Sequence, residues 1–401
     1  MKKRILYLCH RIPYPPNKGD KIRSFNEIKH LSKSYIIDLI ALADNPGDLK
    51  YEQKLKKYCR QVKVFSLDTR TAKIKGLISL LLGKSISQGY FYTKNFQTIY
   101  NLWISKRIYH AVICFSSSMA EYVFRSKKNW VQGADNFIMD FCDLDSDKWK
   151  QYARKTSFLF RLLYKIEAKR LLNFETKINK SFDQSVFIST KEAALFRDNY
   201  PEAGNITIIP NGVDHCYFDP EKTELSQNFP SPMIAFYGAM DYYANIDGVI
   251  WFTQEILPRI KKDVANIKFY IVGSNPDPTV KALEKDPAIH VTGFVDDIRE
   301  YYKAADICVI PLRIARGIQN KVLEALSMEK PIVTTSAALQ GIHPEVHNVL
   351  KIEDNPAAFA DQIVNLLKHK AKGEKQGRSA RQFIFGYYDW TKNLRGMSAL
   401  M

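Results

Sequence analysis

The sequence predicts an α/β protein built from two parallel-sheet domains, and three observations predict it. A chain of 401 residues is longer than one compact core covers, so two domains of roughly 150–200 residues are expected. Short apolar, β-branched runs alternate with amphipathic helical runs through both halves. Strand after strand then ends in a loop carrying glycine, proline or serine, at the edge where open parallel sheets bind ligands. A hydrophobic content of 46% with 25% charged residues fits a globular chain and argues against a disordered or fibrous one.

In chain order, an apolar strand is expected at 5–9, followed by the proline-rich loop 10–16 and Gly19. A helix over 22–32 shows Ile22, Phe25, Ile28 and Leu31 on one face. Further strands are expected at 35–43, 62–67, 111–115, 136–140 and 185–189, with helical segments over 71–105. Two of the strand ends carry polar loops. Ser116, Ser117 and Ser118 form one of them. The other, 141–149, holds Asp143, Asp145, Asp147 and Trp149, which suit sugar hydroxyls and a stacked ring, or cap the helix that follows. That helix is expected over 148–172 as one long amphipathic element. Its apolar side (Phe158, Leu162, Leu163, Ile166) packs on the sheet, and its basic side is left for lipid. A short strand at 205–210 leads into the Asn211-Gly212 turn, and the polar, proline-containing run 219–232 reads as a linker.

The second half restarts the alternation with strands at 233–237, 268–272 and 289–292 and helices at 246–260 and 356–367. At its centre lies ADICVIPLRIARGIQNKVLEALSMEKPIVTT, residues 305–335. A buried strand over 307–311 runs into a loop with Arg313, Arg316 and Gly317. A helix over 320–328 then buries Val322, Leu323 and Leu326 and stops before Pro331, which disfavours helical geometry in the residue preceding it. Gly317 permits close backbone approach, and the helix start offers free N–H groups to an anion. Arg316 and Lys321 add cations, and Glu324, one turn after Asn320, can accept from vicinal hydroxyls. Two cations beside such an acid are what a nucleoside diphosphate needs. The competing reading makes these side chains solvated surface charges with i, i+3 pairing.

The net charge of +17 is unevenly spread: residues 1–200 hold 37 Lys+Arg against 18 Asp+Glu, while the rest of the chain is slightly acidic. Such a half points to an anionic partner, whether membrane surface, phosphorylated lipid or nucleic acid. The six cysteines show no paired or metal-binding spacing, so a reducing cytosol and no metal site are expected. The amino-terminal apolar run ends by Cys9, too short for a signal peptide.

The glycine and asparagine spacing at 238–245, Gly273-Ser274, Gly293-Phe294-Val295, and the helix carrying Lys321 and Glu324 before Pro331 resemble retaining nucleotide-sugar glycosyltransferases of family 4. With Asn211-Gly212-Val213-Asp214 between the halves, the resemblance covers essentially the whole chain. The run RGIQNKVLEAL and the segment from Ser146 to Trp149 look more specifically like the exosortase-associated sugar transferases of bacterial exopolysaccharide clusters. The resemblance implies the GT-B fold, with two Rossmann-like domains whose sheets face across a cleft. The expected division is an acceptor domain at 1–215, a linker at 216–232, a donor domain at 233–375, and a helical tail at 376–401 that returns to the first domain.

It also implies roles. Gly238 would face the donor phosphates, Gly293, Phe294 and Val295 would frame the nucleobase, and Glu324 would hold the ribose. Arg316 and Lys321 would act on the diphosphate, and Gly19 would close over it. Asn245, Gly273, Gly317, Ile318, Gln319 and Asn320 complete the expected donor site. Relatives carry a second Glu where this chain has Arg316, and cations where it has Asp241 and Asn245, so Arg316 with Lys321 is expected to replace the usual clamp. His110, at the start of a strand, is expected to lie off the site. The donor would be UDP- or GDP-linked, with no metal or other cofactor. The acceptor would be a saccharide, expected to be lipid-linked, met by a cytoplasmic protein peripheral to the inner face of the cytoplasmic membrane through its basic first domain. The alternatives are a nucleotide-sugar epimerase of the same fold and a non-enzymatic polyanion-binding protein. The absence of interleaved exposed aromatics and recognisable modules speaks against a nucleic-acid partner.

Overall fold

A computed structural model of the chain describes residues 2–126, 133–154, 156, 158–315 and 317–401. It divides into two compact units, Met1–Pro210 with Asn393–Met401, and Asn211–Lys392.

The first unit holds a seven-stranded, wholly parallel sheet in the order β3-β2-β1-β4-β5-β6-β7. Its strands are β1 (Arg4–Cys9), β2 (Ile36–Ala43), β3 (Gln61–Ser66), β4 (Tyr109–Phe115), β5 (Ala134–Cys142), β6 (Gln184–Phe187) and β7 (Ile206–Ile208). The interior strand β1 is buried from Ile5 to Cys9, which explains why it reads as an unbroken apolar run rather than an alternating one. The helices that matter below are α1 (Gly19–Leu31), α2 (Thr69–Leu81), α3 (Ile86–Tyr90), α4 (Asp145–Arg154) and α5 (Phe158–Ser181). The single long helix expected over 148–172 is therefore two helices. The acids Asp145 and Asp147 lie in the first turn of α4, where the positive end of the helix favours them. The apolar start of α5 does not pack as expected: Phe158 is 80% exposed and Leu162 59%.

One buried ionic cluster ties this unit together. Arg23 of α1 donates from Nε and Nη2 to Asp140 Oδ2 of β5 (3.0 and 2.7 Å) and from Nη1 to the Ile209 carbonyl (2.9 Å). It also pairs with Glu27 one turn on (2.9 Å), whose other oxygen accepts from Tyr7 of β1 (2.7 Å). Arg23, Glu27 and Asp140 are all fully buried, so each charge depends on its partners. The carboxyl-terminal residues join the same unit, with Ser398 on His30 (3.1 Å) and the Met401 carbonyl on His110 (2.8 Å).

The second unit has a six-stranded parallel sheet in the order β10-β9-β8-β11-β12-β13. Its strands are β8 (Met233–Tyr237), β9 (Lys268–Val272), β10 (Ile289–Gly293), β11 (Ile307–Ile310), β12 (Ile332–Thr334) and β13 (Lys351–Ile352). Its helices include α6 (Tyr243–Trp251), α7 (Ile298–Ala304), α8 (Asn320–Ser327), α9 (Pro356–Lys368) and α10 (Lys370–Tyr387). The helix expected over 246–260 begins as α6 and then loosens into a π turn, Phe252–Ile256, just before Pro258, which has no N–H to offer the preceding turn.

The unit boundaries differ from the expected ones for packing reasons. Residues 216–232 are held by the second unit: Asp219 pairs with Arg381 (3.2 Å), and the Ser226 N–H donates to Glu300 (2.9 Å). Helix α10 stays there too, because Gly377 sits so close to the Glu329 carbonyl that a Cβ would collide with it. Arg381 also bonds the Phe218 and Ser327 carbonyls. Among the described residues no helix is long and apolar enough to cross a membrane.

Arg23→Met leaves Asp140 and Glu27 buried without their cation, and should cost the first unit about 3–5 kcal/mol. Hydrogen exchange at β1 and β5, read against exchange at β8 and β11, measures that loss separately in each unit. Unchanged protection of β1 would refute the structural role given to the cluster.

Candidate functional site

In the second sheet the strand order reverses between β8 and β11, and a crevice forms outside the carboxyl ends of strands at such a point. Three loops meet there. The Gly238 N–H donates to the Val272 carbonyl (3.0 Å), the Gly273 N–H to the Gly293 carbonyl (3.2 Å), and the Met240 N–H to the Ser274 carbonyl (2.8 Å). The approach is close enough to require glycine. A Cβ at Gly273 would run into the Gly238 carbonyl oxygen, and one at Gly238 would stand 2.6 Å from Asn245 Nδ2 and 2.9 Å from Lys321 Nζ.

Lys321 projects into this junction from the first turn of α8. Its Nζ donates to Asn245 Oδ1 (2.6 Å), and Asn245 Nδ2 donates to the Ala239 carbonyl (2.8 Å), which fixes the amide so that its oxygen faces the ammonium. The ammonium also lies 4.3 Å from the centroid of the Phe236 ring. Burial lowers the Lys321 pKa from 10.5 to about 7, a shift the charge of Glu324 only partly opposes. Glu324, one turn further along α8, accepts from the Tyr302 hydroxyl (2.9 Å). Burial raises its pKa above the usual carboxylate value, against the pull of the Tyr302 hydrogen bond and of Lys321. Tyr302 is stacked on Tyr237 at 3.7 Å, and the Tyr237 hydroxyl donates to the Tyr301 carbonyl (2.9 Å), so the carboxylate is held by a rigid aromatic stack. Lys321 and Glu324 each keep part of their surface in solvent, yet their charged ends are crowded by neighbours and poorly hydrated.

The remaining expected residues fall as follows. Gly317 takes a left-handed φ of 62° in the loop before α8, and Gln319 Nε2 donates to its carbonyl (3.4 Å). Ile318 packs against the core, and Asn320 opens α8, where the first N–H groups have no intrahelical acceptor. Gly293 ends β10, Phe294 is 77% exposed, and Val295 packs on the core. Asn245 is engaged with Lys321. Gly19 belongs to the other unit, as the first residue of α1. Arg316 lies outside the described residues. Arg313 is occupied by Asp247 (3.0 Å). His110 bonds Lys3 and Asp135 at the rim of the first unit. Tyr302, Tyr237 and Phe236 escape sequence reasoning. They sit in ordinary apolar or amphipathic runs, and only the register of β8 against β11 and the seat of α7 bring them beneath Glu324 and Lys321.

Two parallel, doubly wound units with a ligand crevice at the second unit's switch point constitute the GT-B architecture, and the solved structures agree. The chain aligns over 100% of its length with 98% of sucrose-phosphate synthase from Thermosynechococcus elongatus (TM-score 0.66, 16% identity). It aligns over 99% with 99% of a TarM variant from S. aureus in complex with Fondaparinux, alpha-GlcNAc-glycerol and UDP (TM-score 0.66, 12% identity). At the sequence level, residues 231–369 match the family model described as "Glycosyl transferases group 1". The chain thus carries a glycosyltransferase domain, and the match lies within its second unit. It is also 22% identical over 400 residues, 97% of each chain, to an "Uncharacterized 44.6 kDa protein in cps region" of Klebsiella pneumoniae.

The depressed Lys321 pKa has a consequence in the free protein. The unfolded chain keeps this proton up to about 10.5 and the folded chain only to about 7, so the unfolded state binds more protons between these values. The contribution of Lys321 to stability therefore rises as the pH climbs through that window. Lys321→Met should remove this rise and leave the protein more stable than wild type near pH 7. Denaturation midpoints of both proteins across the window provide the check, and parallel curves would refute the desolvated state of the amine.

Proposed function

We propose that the protein is a retaining glycosyltransferase of family 4 that moves a sugar from a nucleoside-diphosphate donor to a saccharide acceptor carried on lipid. The observation that supports this best is the pair Lys321–Glu324 on the first turns of α8, seated at the switch point of the second sheet. In this reading Glu324, oriented by Tyr302, accepts from the ribose hydroxyls, and the diphosphate lies between Lys321 and the opening N–H groups of α8. Gly238 leaves room for the phosphates, and Gly293 to Val295 contact the base through their backbone. Arg316 contributes a second cation.

The chemistry is a single exchange at the anomeric carbon. Its bond to the donor phosphate oxygen breaks with the electron pair leaving on phosphate. A bond to the acceptor oxygen forms on the same face, and the acceptor proton passes to the departing phosphate. Negative charge grows on the diphosphate as the bond breaks, so a fixed ammonium and a helix start aimed there favour the transition state over the bound donor. The coupling with Lys321 is self-reinforcing. An amine with a pKa near 7 is drawn to its charged form when a diphosphate arrives. Neutralisation by Arg and Lys replaces a metal, so transfer is expected to survive chelation with EDTA. The structurally similar TarM variant holds UDP, which makes UDP the first nucleotide to try. The relative encoded in a cps region supports a place in cell-surface glycan or exopolysaccharide synthesis. The basic first unit is the part we assign to a cytoplasmic membrane face, where a lipid-linked acceptor would be met.

Calorimetry with UDP, GDP, ADP and CMP tests the reading. One diphosphate should bind, and Glu324→Ala should weaken it roughly 10- to 150-fold, the worth of a charged hydrogen-bonding pair. Lys321→Ala should lower kcat by about 10²–10³-fold, as removal of one preorganised charge does elsewhere. Binding of none of the four, or full turnover by Lys321→Ala, would overturn the assignment.

A further inference from the structure

We propose that the outer face of α2 seats the first unit on an anionic lipid surface, which deepens the membrane reading above and rests on it. The helix shows an inverted distribution of side chains. Its inward positions are small, with Ala72, Gly76 and Ser79 buried. Its outward positions are large and apolar: Ile74 is 61% exposed, Leu77 54%, Ile78 49%, Leu81 81% and, just past the helix end, Leu82 74%. Four such residues on one helix, with Leu82 at its end, form an apolar patch, which a soluble surface seldom leaves uncovered.

Packing against α3 enforces this orientation. A Cβ at Gly76 would stand 2.8 Å from Ile86 Cγ2, and one at Gly89 would stand 2.5 Å from the Lys75 carbonyl oxygen and overlap Ser79. Only the small side of α2 fits that approach, so its leucines cannot turn inward without parting the helix pair. A helix held outward in this way offers a preformed apolar ridge.

The charges choose the occupant. Residues 69–84 contain Arg70, Lys73, Lys75 and Lys84 and no acidic residue, and Arg70, Lys73 and Lys75 are exposed. Asp68, which caps the helix start, is the one acid adjoining it in sequence, so an apolar ridge flanked mainly by cations suits a bilayer with anionic headgroups, the alkyl stems lying along the interface and the charges reaching the phosphates. A second copy of this chain would bring like charges together across the same face.

Further exposed apolar side chains lie nearby, on α5. Arg170 of α5 bonds the Leu80 and Lys84 carbonyls at the end of α2, and Glu167 accepts from the Ser87 N–H (3.0 Å). About two to three turns back along α5, at 5.4 Å per turn, come Phe158, Phe160 and Leu162, all exposed, together with exposed Arg161 and Lys165.

Co-sedimentation of the full-length protein with phosphatidylcholine vesicles, with and without phosphatidylglycerol, tests the proposal. Wild type should bind only where phosphatidylglycerol is present, and less as salt rises. Leu81→Ser with Leu82→Ser, both at exposed positions, should lower the bound fraction about tenfold while leaving the thermal transition and nucleotide binding unchanged. Lys73→Glu with Lys75→Glu should abolish the preference for the anionic vesicle. If the leucine variant binds like wild type, the docking face is wrong and the membrane reading stands. If wild type binds neither vesicle, the membrane reading falls with it, and the nucleotide site is judged separately by calorimetry. A concentration-dependent dimer that the leucine substitutions dissolve would make the face a self-interface and overturn the proposal.

Discussion

The contact between Gly273 and the Gly238 carbonyl sets how closely the ends of β8 and β9 approach, and the position of Lys321 depends on it. With side chains at either place the two loops would part and Asn245 would move. The amide that receives the Lys321 ammonium at 2.6 Å would then no longer be aligned by the Ala239 carbonyl. The site is thus built from absent atoms as much as from present ones. Space cleared at two glycines lets a cation be held where its own hydration is poor, and poor hydration is what draws its pKa below that of a free lysine.

The two units handle charge in opposite ways. In the first, Arg23 is buried with Asp140 and Glu27 and satisfied by the Ile209 carbonyl, so its charge is spent on joining α1, β1 and β5. In the second, Lys321 meets a neutral amide and an aromatic face, and its nearest carboxylate is turned toward Tyr302. A cation paired with a carboxylate has little left to offer a ligand, whereas one resting on neutral partners keeps its field available. The excess of positive charge over the first 200 residues is a third use, since Arg70, Lys73 and Lys75 stand exposed beside apolar side chains.

Much of this was legible in the sequence because local rules carried it. The strand–loop–helix order, the burial of Val322, Leu323 and Leu326, the start of α8 at Asn320 and the glycines at strand ends all follow from periodicity and turn chemistry. The aromatic stack of Tyr237 and Tyr302 was not legible, since it joins β8 to α7 across 65 residues of chain and leaves no local pattern. The exposed start of α5 and the outward orientation of the α2 leucines were not legible for a related reason. Periodicity finds an apolar face but does not say which face a neighbour needs, and at α2 the close approach of α3 selects the small one. The extent of α10 was likewise decided by a tertiary contact, that of Gly377 with the Glu329 carbonyl.

The second unit is one uninterrupted stretch of chain, Asn211–Lys392, set between two parts of the first. Its two ends meet: the Val213 N–H donates to the Tyr388 carbonyl (2.9 Å), Val213 bridges Asp389, and Gly212 lies against Trp390. An insert whose ends are stitched together can be exchanged for another with the same stitch without re-threading its host. The second unit is therefore a replaceable cassette: a different sheet with its own crevice can be recombined into the chain at 211 and 392 while the first unit keeps its own sheet and core.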